Sequence, residues 1–411
     1  MKRTILHCDL NCFFASVEML YNPELRKVPM AVAGDPKFRH GIILAKNVPA
    51  KRKGVKTAET INEALQKCPE LIIRRPDYPS YQYFSDRVRS LYEEYTDKVE
   101  PFGIDECWLD ITESIRYFGS AEKIVRDLLY RVRNEIGLTL SIGQSFNKVY
   151  AKLGSDLAAE NCGKKISSLA EIRDLPADRL LGVGYSTYEC LKSYSIFTIG
   201  DLAEKPLDFL HGILGKNGET LYCYANGMDL SEVEDTSSSS IPKSISNSMT
   251  PSRDLYDMDD VRLVLTILSD SVAARLVEQG MYFSCVHLYV RNSRLQIRSM
   301  QTSLRENSDL AGDIFQCAVR LFEENCDFSM PYRSLGVAVS RLSFAKQISQ
   351  TDLFGNEIYS LKRKKEEKAL EEIRRRFGYK AATTLRILED QELSGMGPDD
   401  DCFFPDENFR R

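Results

Sequence analysis

Hydrophobic and polar positions divide the chain into segments of different character. Over residues 1 to about 165, apolar runs of strand length alternate with helix-period patterns. The runs are TILHCDL (4–10), MAVAG (30–34), GIILA (41–45), CWLDI (107–111) and LTLSIG (138–143). Such alternation predicts an α/β or α+β domain. From 166 to 232 strand character is lost, and short helical patterns are broken by Gly and Pro. VEDTSSSSIPK (233–243) reads as a polar, Ser-rich linker. Beyond it, FSCVHLYV (283–290) and LQIRSMQTSL (295–304) alternate around RNSR, and RSLGVAVSRLSF (333–344) adds a strand. Helical patterns at 258–279 and 309–325 complete a small α+β module. The segment from about 346 is charged and mostly helical, contains an acidic GPDDD (397–401), and reads as an appendage. No repeat of fixed period is present.

Composition narrows the class. The 411 residues exceed one ordinary core, and 43% hydrophobic with 28% charged residues is a globular balance. No apolar run approaches the roughly 20 residues that span a bilayer, and MKRTILHCDLN reads as a first strand rather than a signal peptide. The 11 cysteines lack the short paired spacings of a zinc site or disulfide scaffold, so reduced thiols in a cytoplasmic protein are expected. A formal net charge of -5 neither indicates nor excludes nucleic acid, which depends on local clusters.

Candidate chemistry centres on carboxylates. Asp9 ends the first predicted strand, where an isolated Asp is ordinarily a turn or cap residue. Asp105 and Glu106 adjoin in GIDECWLD (103–110), flanked by Ile104, Cys107, Trp108 and Leu109. Burying either without a partner is costly, and a cation is the usual remedy for converging carboxylates. Hard oxygen ligands of this kind suit Mg²⁺. Two such ions among three carboxylates form a known arrangement for phosphoryl transfer. The alternative places Asp105 in a turn and Glu106 in solvent, and these positions alone leave both open.

Surrounding residues separate the alternatives. CDLNCFFASVE (8–18), FGIDECWLDIT (102–112) and LSIGQSFNKVYAKLGSDLA (140–158) occur in this order. Together they resemble the Y-family translesion DNA polymerases, in particular the bacterial DNA polymerase IV group. LLGVGYSTYECLKSYSIFTIGDLA (180–203) is similar to that family's helix-hairpin-helix thumb, and 244–345 to its little finger. The resemblance implies an α+β, multidomain right-hand polymerase. Its palm would be 1–10 with 80–165, its fingers 11–79, its thumb 166–232 and its linker 233–243. The little finger would follow at 244–345 and a tail at 346–411. It further implies Asp9, Asp105 and Glu106 as metal ligands, with the backbone carbonyl of Leu10, around two Mg²⁺ ions for which Mn²⁺ substitutes. Phe14 would be a steric gate against the 2′-hydroxyl, and Phe13, Phe14 and Lys51 would bind the nucleotide, although core packing is the ordinary reading of the two rings and suits Phe13 better. Lys148 and Lys152, four apart on one helix face, would lie near the active site and DNA, although a solvated basic face is the ordinary reading. The backbone at Gly182 and Gly184 would hold a DNA phosphate.

Several positions depart from the family pattern. Where a finger helix carries Tyr-x-Ala-Arg, this chain has Val48 and Lys51 around Pro49, so Lys51 supplies a charge without the bidentate fork of Arg. Ala159 and Glu160 stand where a Lys-Pro-Asn-Gly pattern is expected, with Lys164 and Lys165 nearby at a different spacing. Each lost charge-assisted bond should cost about 1.5–3 kcal/mol. Asn11 replaces an Asp outside the ligand set, Tyr185 and Ser186 replace a Pro-Lys, and Ser195 replaces a turn Gly. Residues 244–345 hold ten Arg, no Lys and twelve Asp or Glu, an acidic balance for a DNA-holding domain. Arg291, Arg294, Arg298 and Arg341 are expected to gather on one sheet face.

QTDLFG (350–355) resembles the peptide by which bacterial polymerases attach to the sliding clamp, with Leu353 and Phe354 filling an apolar pocket and Gln350 making polar contacts. Two functions are therefore expected. The first is a monomeric translesion polymerase with weakened nucleotide binding, whose partners are primer-template DNA, deoxynucleoside triphosphates and the clamp. The second is a largely non-catalytic DNA- and clamp-binding accessory protein of the same fold.

Overall fold

A computed structural model describes residues 3–34, 41–236, 241–344 and 356–378, with single positions between 381 and 393. The described residues form two compact units: 3–33 with 43–236 make the first, and 241 onward, with 34, 41 and 42, make the second. The clamp-like Gln350, Leu353 and Phe354 lie outside the described residues.

Eight strands are described in the first unit: β1 (Ile5–Leu10), β2 (Met30–Ala33), β3 (Ile43–Lys46), β4 (Ile72–Arg74), β5 (Val99–Pro101), β6 (Glu106–Asp110), β7 (Leu140–Ser145) and β8 (Gly163–Lys165). Five of them form a sheet in the order β5-β6-β1-β7-β8, and β3-β2-β4 form a small second sheet. Strand β1 is central because it is apolar nearly throughout: Ile5, Leu6 and Cys8 are fully buried and Leu10 nearly so. Leu6, Cys8, Leu109 and Ile142 pack with the helices Tyr78–Glu93 and Ala121–Arg131 into the main core. The region after β8 is helical, and its core joins Leu180, Ile196 and Leu210 to Tyr150 of the Lys148–Leu157 helix.

That helix lies unusually close to the sheet. A Cβ on Gly143 of β7 would fall 1.8 Å from the Ala151 carbonyl oxygen, and one on Gly154 would fall 2.9 Å from the Gly143 Cα. Only glycine at both positions permits this approach. It fixes the height at which Lys148, Lys152 and Ser155 meet β1 and β6.

The second unit holds β9 (Ser244–Met249), β10 (Phe283–Asn292), β11 (Ile297–Ser308) and β12 (Tyr332–Ser340), ordered β11-β10-β12-β9. Val286, Leu288 and Val290 face the helices Met258–Glu278 and Ala311–Asn325, whereas His287, Tyr289 and Arg291 alternate to the open face. The C-terminal segment is not an appendage. Ile387 and Leu393 are buried in this core, Arg374 pairs with Asp270 at 3.0 Å, and the Ala311 amide donates to Glu367 Oε2 at 3.0 Å.

Candidate active site

Antiparallel register places Asp9 directly opposite Glu106 and next to Ser141, at one end of the central sheet. Asp105 occupies the bend just before β6, and its carbonyl accepts the Leu10 amide at 3.1 Å. Asp105 is thus in a turn, but Glu106 is not in solvent. Its Oε2 takes Lys152 Nζ at 2.5 Å and lies 3.1 Å from His7 Nε2, with the side chain 21% exposed. Trp108 and Leu109 are buried and anchor the strand, and the Trp108 indole donates to the Lys148 carbonyl at 3.0 Å.

The three carboxyls differ in their proton affinity. Burial, then the charges of Glu106 and Asp105, push Asp9 up to about 7. Burial and the Glu106 charge push Asp105 up to about 6. Burial would raise Glu106 as well, but bonds from His7 and Lys152 outweigh it and hold this carboxyl below its ordinary value. Among the described residues no three His, Cys, Asp or Glu side chains already converge as a ligand set. The donor set nevertheless fits a hard divalent cation: three oxygen ligands, two of them crowded by like charge, on adjacent strand ends. Leu10 itself is placed by its bond to Asp105, beside the cluster.

Phe13 opens the helix Phe13–Tyr21 and is buried in the core. Phe14 is partly buried and stacks on Tyr81 at 4.2 Å and 11°, with Tyr78 edge-on at 6.0 Å. Tyr81 is locked in turn by donating to the buried Glu18 at 2.8 Å. Sequence reading passed over this ring wall, although Tyr78 and Tyr81 share a helix face at spacing three.

The finger-like segment forms a short helix, Val48–Arg52, capped by Asn47. Asn47 is fully buried and accepts the Met30 and Ala50 amides, each at 3.1 Å. Pro49 costs no hydrogen bond here, because the amides of a first helical turn have no helical acceptor. Val48 offers no polar atom, and Lys51 is exposed. A second lysine stands near it: Lys46 at the end of β3 donates to Thr57 Oγ1 at 2.8 Å. Burial, modulated by Cys12 and the like charge of Lys51, lowers its pKa. The signal in the sequence was a lone Lys closing the apolar run IILA. Lys165 instead pairs with Glu122 at 3.6 Å, and Lys164 is exposed on the edge strand.

Lys148 and Lys152 share a helix face but not a solvated one. Lys148 binds Glu100 at 2.5 Å and lies over Trp108, so its charge is already neutralised. Asn11 is a joint, donating to Ser141 Oγ at 2.8 Å and accepting the Asn161 amide. Gly182 has a φ of +88°, Gly184 caps the Tyr185–Ser193 helix, and Ser195 adopts a φ of 58°, the left-handed turn expected of glycine. In the second unit the arginines do not share a face. Arg298 opposes Val290 on the helix side and donates to the Asn325 carbonyl at a helix end. Arg291 faces the open side, Arg341 reaches Ser303 Oγ at 3.2 Å on that side, and Arg294 is exposed in the turn.

Comparison with known proteins identifies the family. The impB/mucB/samB family model matches residues 8–156, and its C-terminal domain model matches 242–353. DNA polymerase IV of Acetivibrio thermocellus is 42% identical over 96% of this chain and 100% of that protein. The chain belongs to the Y-family DNA polymerases, in the DNA polymerase IV group. DNA polymerase IV 2 of Bacillus subtilis is 36% identical, over 86% of this chain and 87% of its own. A solved Y-family DNA polymerase chimera, Dbh-Dpo4(243-245)-Dbh, superposes with a TM-score of 0.73 at 22% identity, covering 83% of this chain and all of that one. The α+β fold is therefore that of the Y-family polymerases. No described helix is long and apolar enough to cross a membrane.

Proposed function

We propose that Asp9, Asp105 and Glu106, with the Leu10 carbonyl, hold two Mg²⁺ ions with which this DNA-directed DNA polymerase of translesion type extends a primer opposite damaged bases. Mn²⁺ substitutes for Mg²⁺. The observation that carries the reading is the register that sets Asp9 opposite Glu106 with Asp105 one residue before it. Bound cations would neutralise the transferred phosphoryl group and lower the pKa of the primer 3′-hydroxyl. The chain's own residues do the rest. Lys152 fixes one oxygen of Glu106, and Phe14, braced by Tyr81, closes the space a ribose 2′-hydroxyl would need. Lys51 and Lys46 supply two point charges to the triphosphate in place of the family's Tyr and Arg, so nucleotide binding is weakened rather than lost.

The palm is assigned to the five-stranded sheet (1–10, 80–165), the fingers to 11–79, the thumb to 166–232 and the little finger to 244–345. DNA phosphates meet the Gly182–Gly184 amides, Arg291, Arg294 and Arg341. Lys148 and Lys152 serve the site as ion-pair partners, and Arg298 serves a helix end. Gln350, Leu353 and Phe354 bind the sliding clamp, and the protein acts as a monomer. Clamp binding that survives replacement of both Leu353 and Phe354 by Ala overturns the last assignment.

An accessory, non-catalytic role is the competing reading, favoured by the twelve acids against ten arginines of residues 244–345. Primer extension by the purified protein decides between them. Extension at millimolar nucleotide is expected; none with either Mg²⁺ or Mn²⁺ overturns catalysis.

A further inference from the structure

His7 lies on β1 two residues before Asp9 and is fully buried. Its register partner on β7 is Gly143, the position at which the Lys148–Leu157 helix presses onto the sheet. The close approach brings Ser155 Oγ to 2.7 Å from His7 Nδ1. On the other side of the ring, Nε2 stands 3.1 Å from Glu106 Oε2, and no hydrogen bond of good geometry serves that nitrogen. Trp108 packs edge-on against the ring at 5.2 Å, closing the remaining side.

Proton placement follows from these contacts. The ring is fully buried, and a neutral imidazole carries one N–H. A bare Nε2 would point a lone pair at a carboxylate, so the hydrogen belongs on Nε2 and Nδ1 must accept. The Ser155 hydroxyl has two acceptors within reach, His7 Nδ1 and the Lys152 carbonyl, each at 2.7 Å. The carbonyl already has the helix amide four residues on as a donor, whereas Nδ1 has only Ser155. Both the Lys152 and the His7 contacts fall on Oε2 of Glu106, which leaves Oε1 to coordinate.

We infer that Ser155 and His7 form a positioning pair for the reaction: Ser155 fixes the imidazole tautomer, and His7 Nε2–H, 3.1 Å from Oε2, holds the Glu106 carboxylate toward the cation site by electrostatic attraction rather than by an aligned hydrogen bond. The inference rests on the assignment of Glu106 as a metal ligand. His7 touches no substrate and no reacting atom. Its effect is on cation affinity, in the way that outer-shell hydrogen bonds to metal ligands commonly act.

Direct Mn²⁺ binding to the full chain, by calorimetry or by the spin signal of free Mn²⁺, tests this beside primer extension titrated with Mg²⁺. Ser155→Ala, a small change to a good helix former, should weaken Mn²⁺ binding about tenfold and raise the half-saturating Mg²⁺ by a similar factor. Extension at saturating Mg²⁺ should stay within about threefold of the unmutated rate. His7→Phe should lose more, and His7→Gln, whose amide can place an N–H near Nε2, should recover most of it. Melting curves establish that each variant is folded. Unchanged Mn²⁺ affinity in folded Ser155→Ala and His7→Phe overturns the inference, as does a His7→Gln variant no better than His7→Phe. Asp105→Ala serves as the reference. If it abolishes Mn²⁺ binding while the His7 and Ser155 variants do not change it, only the positioning pair is refuted. If the unmutated protein binds no Mn²⁺, the metal assignment and this inference fall together.

Discussion

Asp9 on β1 and Glu106 on β6 face each other as an antiparallel pair at the end of the central sheet. Their spacing is set by backbone hydrogen bonds rather than by side-chain preference, so the charges stay together even though they repel. Removing a ligand should therefore cost chemistry rather than fold. Asp105→Ala and Glu106→Ala should each reduce primer extension at least about 10³-fold, equivalent to ~4 kcal/mol. Asp105→Ala should leave the melting temperature unchanged or slightly higher, since a repulsive charge is lost, whereas Glu106→Ala takes the hydrogen-bonded partner from Lys152 and should lower it modestly. Single-turnover extension beside a thermal melt checks both halves, and near-normal extension by either variant would refute the ligand assignment.

The second prediction concerns the sugar. Phe14 rests flat on Tyr81, whose hydroxyl is tied to Glu18. Phe14→Ala should admit ribonucleotides, with the ratio of kcat/KM for deoxy over ribo substrate falling by at least about tenfold. Tyr81→Phe keeps the stacked ring and should keep selection. It leaves Glu18 without a buried donor and should cost ~1–3 kcal/mol of stability. Unchanged sugar selection in Phe14→Ala would remove Phe14 from the gate.

A third concerns the triphosphate. Lys46→Ala should raise KM for deoxynucleotides about tenfold with kcat little changed, the mark of lost ground-state binding. Lys51→Arg should lower KM, because the guanidinium restores a bidentate fork. Steady-state kinetics at saturating Mg²⁺ measures both, and a Lys46→Ala enzyme with unaltered KM would show that Lys51 acts alone.

Much of this site was legible in the sequence. Alternation located β1, β6 and β7, and three motifs named Asp9, Asp105, Glu106 and Phe14. What remained hidden depended on contacts remote in the chain. His7 between Leu6 and Cys8 reads as one more core residue, and nothing local shows that Ser155, 148 positions away, reaches it. The faces of Arg291 and Arg298 follow from the pairing of β10 with β11, which a turn and a bulge determine. Ile387 and Leu393 are sparse apolar positions in a charged tail, so periodicity gave no reason to dock them in a core.

A fourth prediction is a pH effect in the second unit. Arg253 binds Asp260 at 2.7 Å through both carboxylate oxygens and Asp390 at 2.7 Å. Burial would raise both carboxyls, but the bonds they accept, those from Arg253 included, outweigh it and hold each below its ordinary value. Carboxyls depressed in the folded state stabilise above their unfolded pKa of about 4 and lose that contribution as pH falls through the folded value. Stability of the unmutated second unit should therefore be flat near neutrality and fall below about pH 4. In Arg253→Met the backbone amides of Tyr256 and Leu393 still hold the two carboxyls, but the Arg253 share is gone, so the loss of stability below about pH 4 should be shallower. Urea melts followed by circular dichroism on either side of that pH check this, and parallel slopes for the two proteins would refute it.

The fifth concerns the C-terminal helix. Arg374 belongs to that helix, Asn356–Phe377, and its side chain is buried, paired with Asp270 at 3.0 Å and donating to the Ala382 carbonyl at 2.8 Å. Truncating one member of a buried pair leaves the other uncompensated, so Arg374→Ala should destabilise the second unit by ~3–5 kcal/mol. The double change Arg374→Met with Asp270→Leu removes both charges and should recover most of that loss. Trp108, the single tryptophan, belongs to the first unit and will not report the event. Hydrogen exchange of the Met258–Glu278 helix is the suitable probe. Unaltered protection there in Arg374→Ala would mean that the helix adds contacts without adding stability.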